Sequence, residues 1–387
     1  MDRKKINIAV IGTGSMGRTH SYAIKNIPFY YKDIPFLPVA HTICSRSIEK
    51  ADKMREDYGY LHSESNFGRV LANDEIDVID ICTPNICHFE QIKAALEHGK
   101  HIMCEKPLVV DNKECDKLCE LLGNYPDLIH RTVFNNRHLP VAIRASQIAK
   151  EGRLGRILSF RASYRHSSAT DTEKIAGWKQ DKRICGGGVL YDLGSHIIDL
   201  LAFIMGRGEN EIQYVNGLSQ IAYPVRKGMD GEEWNTNADE AFYALAKLKC
   251  GACGTIEVSK VTVGTNDDIF VEIFGTNGAL RFDLMQPNFL EFYDNTASKS
   301  PYGGYSGFTK IECTQRYEAP GGSFPSIKSP INLVRGHVHN MYCLCESVYK
   351  GAKSAPDFYD GFYVNRVMAA AYKSSQTGCW ESIEVLK

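Results

Sequence analysis

The chain has 387 residues, 43% of them hydrophobic, and 45 Lys plus Arg against 46 Asp plus Glu. Such a composition supplies an ample core and excludes disordered, collagen-like and coiled-coil classes. The near-zero net charge leaves no basic surplus for nucleic acid or an anionic membrane surface. No uninterrupted apolar run is longer than Leu200–Met205, far short of the ~20 residues of a membrane span, and the N-terminal Ile8 to Ile11 run is too short for a signal peptide. An odd count of 13 cysteines in a chain this long does not read as a disulfide scaffold, so a reducing, cytoplasmic setting is expected.

Through about residue 133 the sequence alternates short apolar runs with helical patterns, the βαβ signature of a parallel sheet. Strands are expected at Ile6 to Ile11, Val39 to Cys44, Val78 to Cys82, His101 to Cys104 and Ile129 to Phe134. Helices are expected at Ser15 to Asn26, Ile48 to Tyr58, Phe89 to His98 and Asn112 to Leu122. A different texture follows. A helix at Val141 to Glu151 precedes an alternating strand at Ile157 to Tyr164, and Gly186-Gly187-Gly188 leads into a helix from Asp192 to Met205. Alternating segments from Ile212 to about Tyr293 indicate an antiparallel or mixed sheet. Residues 294–330, rich in Gly, Ser and Pro, read as a long loop, followed by helices at Ile331 to Tyr349 and Tyr363 to Thr377. The expected fold is α/β: a Rossmann domain over 1–133, then an α+β domain over 134–387 with a mixed, largely antiparallel open sheet.

Gly12, Gly14 and Gly17 form a G-x-G-x-x-G between the first strand and first helix. Gly12 would allow the tight turn, Gly14 the approach of a pyrophosphate and Gly17 close helix–strand packing. The first-turn amides of Ser15 and Met16 would face the anion. A nicotinamide dinucleotide is the expected cofactor. At the end of the second strand stand Cys44-Ser45-Arg46-Ser47, with Lys50 a turn later and no carboxylate. Ser45, Arg46 and Lys50 suit a 2′-phosphate; alternatively the serines only cap the next helix. NAD and NADP both stay open.

Three further motifs follow in order: Thr83-Pro84-Asn85 with His88, Glu105-Lys106-Pro107, and the triple glycine with Asp192 and His196. With the glycine motif these resemble the Gfo/Idh/MocA family of sugar and polyol oxidoreductases, over essentially the whole chain. Within it, His20 to Pro38 and Phe134-Asn135-Asn136-Arg137 are most similar to members that oxidise carbon 3 of a sugar ring, levoglucosan and glucoside 3-dehydrogenases among them. Oxidising a secondary alcohol sends a hydride to nicotinamide and needs a base for the hydroxyl proton. Lys106 lies at the carboxyl end of a parallel strand, where open α/β sheets bind ligands. Asp192 and His196, four apart on a helix, share a face. The resemblance implies Lys106, Asp192 and His196 as the catalytic set, with His196 the expected proton acceptor and Lys106 the alternative.

It further implies that Thr83, Pro84, Asn85 and His88 border the cofactor, with Glu105 beneath its ribose. Asn135 and Arg137 would line the nicotinamide or the sugar. Tyr164, Arg165, Trp178 and Lys182 would cover the sugar, and Arg335, His337 and His339 are outlying candidates for the same pocket. Cys250 and Cys253 have zinc-like spacing without a second ligand pair, so no metal is expected. The expected partners are a sugar or glycoside and further copies of the chain, as a tetramer or larger. Three other activities fit the same motifs: a keto-sugar reductase, an oxidation by a tightly held cofactor that enables glycosidic cleavage, and a non-enzymatic NAD(P) sensor.

Overall fold

The computed structural model describes residues 3–228, 231–298 and 300–384. The chain forms two compact units, Met1–His138 with Gln315–Tyr363, and Leu139–Thr314 with Val364–Lys387. In the first, β1 (Lys4–Ile11), α1 (Ser15–Tyr30), β2 (Phe36–Cys44), α2 (Ile48–Tyr58), β3 (His62–Glu64), α3 (Phe67–Leu71), β4 (Val78–Ile81), α4 (His88–Glu97), β5 (His101–Cys104), α5 (Asn112–Leu122) and β6 (His130–Thr132) follow in turn. The strands lie in the order β3-β2-β1-β4-β5-β6, every neighbouring pair parallel. That is the doubly wound Rossmann order, which puts the topological switch between β1 and β4. Its central strands carry apolar residues on both faces because helices cover both; Ile8, Val10, Val78, Ile79 and Ile81 have no exposed surface. Ser47, Asn66 and Asp111 cap α2, α3 and α5 by accepting a backbone N–H.

The expected boundary near residue 133 assigns everything after it to one domain, whereas Gln315–Tyr363 pack with the first unit. The reason is a second apolar stripe on α1. The helix Val334–Lys350 fills it with Val338, Met341, Tyr342 and Leu344, in one core with Ile6, Ile8, Ile24, Ile27 and Phe36. Tyr342 stacks on Tyr31 with ring centroids 3.9 Å apart. Periodicity shows that α1 needs a cover, not which distant helix provides it.

The second unit comprises α6 (Pro140–Lys150), β7 (Ile157–Arg165), α7 (Lys182–Cys185), α8 (Ser195–Met205), β8 (Ile212–Gln220), β9 (Val225–Lys227), β10 (Glu233–Asn235), β11 (Ala241–Leu248), β12 (Cys253–Ser259), β13 (Asp268–Gly275), β14 (Gly278–Asp283), β15 (Phe289–Asp294), β16 (Phe308–Glu312) and β17 (Glu381–Ser382). Nine strands form a sheet in the order β16-β15-β14-β13-β7-β12-β11-β8-β17, while β9 and β10 pair separately. Among the described residues β7 and β12 are its parallel pair, and the other neighbours run antiparallel. Strand β16 lies inside the stretch expected to be all loop. Its Phe308, Thr309 and Ile311 favour an extended chain, which suffices for an edge strand beside β15. Lys182–Met205 has the length and hydropathy of a membrane span, yet 83% of its most apolar 18 residues are buried within the protein. All 13 cysteines are free thiols.

Candidate active site

The three glycines of the first turn have different reasons to be there. Gly12 adopts φ +120°, and a Cβ on it would sit 2.6 Å from the Cys82 carbonyl oxygen. A Cβ on Gly17 would fall 2.0 Å from the Gly12 carbonyl oxygen. On Gly14 it would meet nothing within 4 Å. Packing therefore demands the outer two, and the middle one leaves open space beside the start of α1. That helix has no side-chain cap and no acidic residue in its first turn, so its leading amides are left to an outside anion. A dinucleotide pyrophosphate fits this cradle. Next to it, the Ser45 hydroxyl lies 3.3 Å from that of Thr13. Ser47 is committed to capping, accepting from the Lys50 amide at 3.3 Å, while Arg46 and Lys50 are exposed.

The turns after β4 and β5 carry the next group. Thr83 donates its hydroxyl to Gln91 at 2.6 Å, and Pro84 leads into a short turn at Asn85–Cys87 with Asn85 buried. His88 is fully buried, each ring nitrogen 3.0 Å from a backbone carbonyl, of Thr83 and of Pro107. Burial lowers its pKa, and the neutral ring donates to one of these two carbonyls while packing against the other. Half-buried Lys106 lies in the turn two residues beyond β5 and precedes a cis peptide to Pro107. Glu105 accepts the Lys106 amide at 3.1 Å and stands 3.1 Å from His20 Nε2. His20 Nδ1 in turn lies 2.9 Å from both Asp80 oxygens and 3.2 Å from Cys82 Sγ. Burial pushes the Glu105 carboxyl up, but His20, Lys106 and His337 outweigh it and bring it to about 2. Burial likewise depresses His20, yet Asp80 and Cys82 prevail and hold the imidazole well above its ordinary range.

His20 and Asp80 were not singled out from sequence as site residues. One signal existed: Asp80 is a lone carboxylate inside the apolar strand Val-Ile-Asp-Ile, and a buried charge requires a partner. Asn135 is buried and donates to Asn136 at 3.2 Å, while Arg137 is tied to Asp360 at 3.0 Å. Arg335 is only 1% exposed; it donates to the Tyr31 hydroxyl at 2.8 Å and lies 4.0 Å from the Tyr317 ring centroid and 4.4 Å from that of Tyr30. His339 contacts the same Tyr31 hydroxyl at 2.6 Å. Arg335 and His339 thus share a buried aromatic cage, and His337 packs by its ring against His20, 5.7 Å between centroids.

In the second unit, Asp192 stands in a single wide turn, Leu190–Gly194, that runs straight into α8. The helical path therefore begins before Asp192, and a wide turn replaces the expected α-helical spacing to His196. The Asp192 carboxylate receives Lys179 at 3.0 Å and Lys260 at 2.8 Å. The Tyr164 ring lies edge-on to His196, 6.0 Å between centroids, and its hydroxyl donates to Asp267 at 3.3 Å. Of the other candidates, Arg165 pairs with Asp268 at 2.8 Å, Lys182 sits 4.7 Å over the Tyr372 ring, and Trp178 is 37% exposed with Lys179 beside it. Lys179 and Lys260 escaped the sequence reading; a nearly buried lysine just after β12 becomes visible only with the fold. The preceding glycine loop is fixed by Gly188, whose amide meets Asp239 at 3.1 Å and the Tyr372 hydroxyl at 2.8 Å.

Residues 6–130 match the oxidoreductase family with an NAD-binding Rossmann fold, and residues 143–281 match the GFO/IDH/MocA C-terminal domain. Levoglucosan dehydrogenase of Pseudarthrobacter phenanthrenivorans is 28% identical, over 98% of this chain and 98% of that protein. D-glucoside 3-dehydrogenase of Escherichia coli is 22% identical over 98% of this chain and 97% of its own length. A solved levoglucosan dehydrogenase in complex with NADH and levoglucosan superposes with a TM-score of 0.92 at 27% identity, covering 99% of this chain and all of that one.

Proposed function

The chain belongs to the GFO/IDH/MocA family of nicotinamide-dependent oxidoreductases, and from that membership we propose that it oxidises a ring secondary hydroxyl of a sugar or glycoside, at carbon 3, to a ketone. The observation that carries the proposal is the end-to-end likeness to a levoglucosan dehydrogenase solved with NADH and levoglucosan. Bound at the glycine turn, NAD or NADP supplies the hydride acceptor.

The protein's own residues then have these roles. The amides of Ser15, Met16 and Gly17 hold the pyrophosphate, and Thr83, Pro84 and Asn85 border the dinucleotide. Lys106 donates a hydrogen bond to the reacting hydroxyl and to the cofactor ribose. His196 accepts the hydroxyl proton as the C–H bond breaks. Asp192, held by Lys179 and Lys260, accepts a second sugar hydroxyl, and Tyr164 and Trp178 offer ring faces to sugar C–H groups. Self-association is assigned to the open face of the second unit's sheet, where Leu218 pairs with Tyr243 and Leu245 lies two residues further along; these are 64%, 41% and 52% exposed.

The test is reduction of NAD and of NADP with levoglucosan, alkyl glucosides and free sugars, in wild type, Lys106→Ala and His196→Ala. Sugar-dependent reduced nicotinamide that both variants lose is the expected result. Failure of every sugar with both cofactors would overturn the assignment.

A further inference from the structure

Three ionisable groups behind Lys106 have no part in the chemistry just described. His20, Asp80 and Glu105 are 1%, 0% and 5% exposed, and they come from α1, β4 and the turn after β5. From Asp80 through the imidazole to Glu105, the contacts run 2.9 Å and 3.1 Å, and 3.1 Å more reaches the Lys106 amide. Two buried carboxylates flanking one imidazole are compatible with a fold only if the imidazole carries the positive charge between them. The surroundings agree. Cys82 and Cys104 remain thiols, burial holding Cys82 up at about 12 and Cys104 also high, and His337 is kept neutral, its pKa brought by burial and by His20 to about 4.

We infer that His20 is a positioning residue for Lys106: clamped by Asp80, it locks the Glu105 carboxylate onto the Lys106 amide and so fixes the turn from which the lysine reaches the substrate hydroxyl. The inference deepens the proposed dehydrogenase reading and rests on it only for the role of Lys106. The same α1 whose N-terminus meets the pyrophosphate carries His20 one turn later, so cofactor cradle and lysine turn share one rigid element. Charges alternate along the line, negative at Asp80, positive at His20, negative at Glu105 and positive at Lys106. Removing the imidazole leaves two carboxylates without their shared cation, and Glu105 then takes up a proton at higher pH. A neutral Glu105 also ceases to favour the ammonium of Lys106.

The test has two arms. In protein with ¹⁵N-labelled histidine, the His20 signal, assigned by its absence in His20→Gln, should remain that of an imidazolium at pH 8 and become neutral at lower pH in Asp80→Asn. A neutral His20 throughout pH 6 to 8 in wild type overturns the inference, and this arm needs no substrate. In the kinetic arm, His20→Gln should lower kcat by about tenfold or more with sugar KM within about threefold. It should move the alkaline limb of the kcat profile to lower pH, as Glu105→Gln should, and the double variant should add little. Wild-type kcat and pH profile in His20→Gln, with Lys106→Ala inactive, would overturn the inference and spare the dehydrogenase reading. A fully active Lys106→Ala would instead sink the role given to Lys106, leaving the NMR arm to report on the clamp. Should His20→Gln fail to fold, Asp80→Asn serves in both arms.

Discussion

The candidate-site residues of the two units hold their charges differently. The first unit stores them deep: Asp80, His20 and Glu105 in a buried line, and Arg335 inside a tyrosine cage. The second unit also buries an ion pair, Arg226 with Glu240, but at its candidate site Lys179 and Lys260 converge on an Asp192 carboxylate that is 17% exposed. Buried charges must be fully partnered and so are rigid, which suits residues that hold a backbone in place. A partly exposed carboxylate such as Asp192 can exchange the exposed Lys179 for a substrate hydroxyl at little cost, which suits recognition. Glycines divide the same way: Gly14 leaves room for a ligand, whereas Gly188 is pressed against Asp239, where a Cβ would sit 2.2 Å from the carbonyl oxygen.

The sharpest way to break this contrast is at its chemical ends. Lys106→Ala should lower kcat by about 10²- to 10⁴-fold while NADH affinity, measured by fluorescence, changes far less. Next come the glycines, which should separate packing from binding. Gly17→Ala should destabilise the first unit by about 1–3 kcal/mol and lower the melting temperature, because its methyl collides with backbone. Gly14→Ala should melt like wild type and bind NADH at least about tenfold more weakly, since its methyl occupies only ligand space. A smaller effect is expected in the second unit: Lys260→Met should raise sugar KM by about threefold to tenfold and leave NADH affinity unchanged.

Acid should also act unequally on the two units. Burial depresses His130 and His337 to about 4 and His339 to about 3, and all three lie in the first unit. Their unfolded forms protonate near pH 6.5, so stability falls as pH drops from 6.5 towards 4. Opposite in sign, raised His20 contributes fully below pH 6.5 and loses its contribution only as pH rises through its folded value. Depressed Glu105 adds its own loss between pH 4.5 and about 2. The three tryptophans, Trp178, Trp234 and Trp380, all belong to the second unit. Between pH 6.5 and 4, amide protection in β1, β4 and β5 should therefore fall before tryptophan fluorescence changes. Simultaneous loss would contradict the difference between units.

Features that depend on local backbone were readable in the chain. The glycine turn, the alternation of strands and helices and the cap at Ser47 each follow from a few adjacent residues. Lys106 and Asp192 stood out because each follows a strand or a glycine loop. What stayed hidden is assembled from distant segments. Nothing near His20 announces Asp80, sixty residues away, and Lys260 meets Asp192 only because β12 packs against the wide turn that carries Asp192. The cover that Val334–Lys350 gives to α1 was hidden likewise, and with it the contacts that Arg335 and His339 make to the Tyr31 hydroxyl. Asp192 and His196 were found, but local spacing alone did not reveal the wide turn between them.

The central claim is a hydride transfer from carbon 3 of a sugar ring. Levoglucosan deuterated at that carbon alone, turned over with NAD and followed by NMR and mass spectrometry, tests it most directly. The account predicts a ketone at carbon 3, deuterium on the reduced nicotinamide and a slower turnover than with the protiated sugar. Deuterium retained at carbon 3 of the product, with oxidation elsewhere on the ring or none at all, would contradict it.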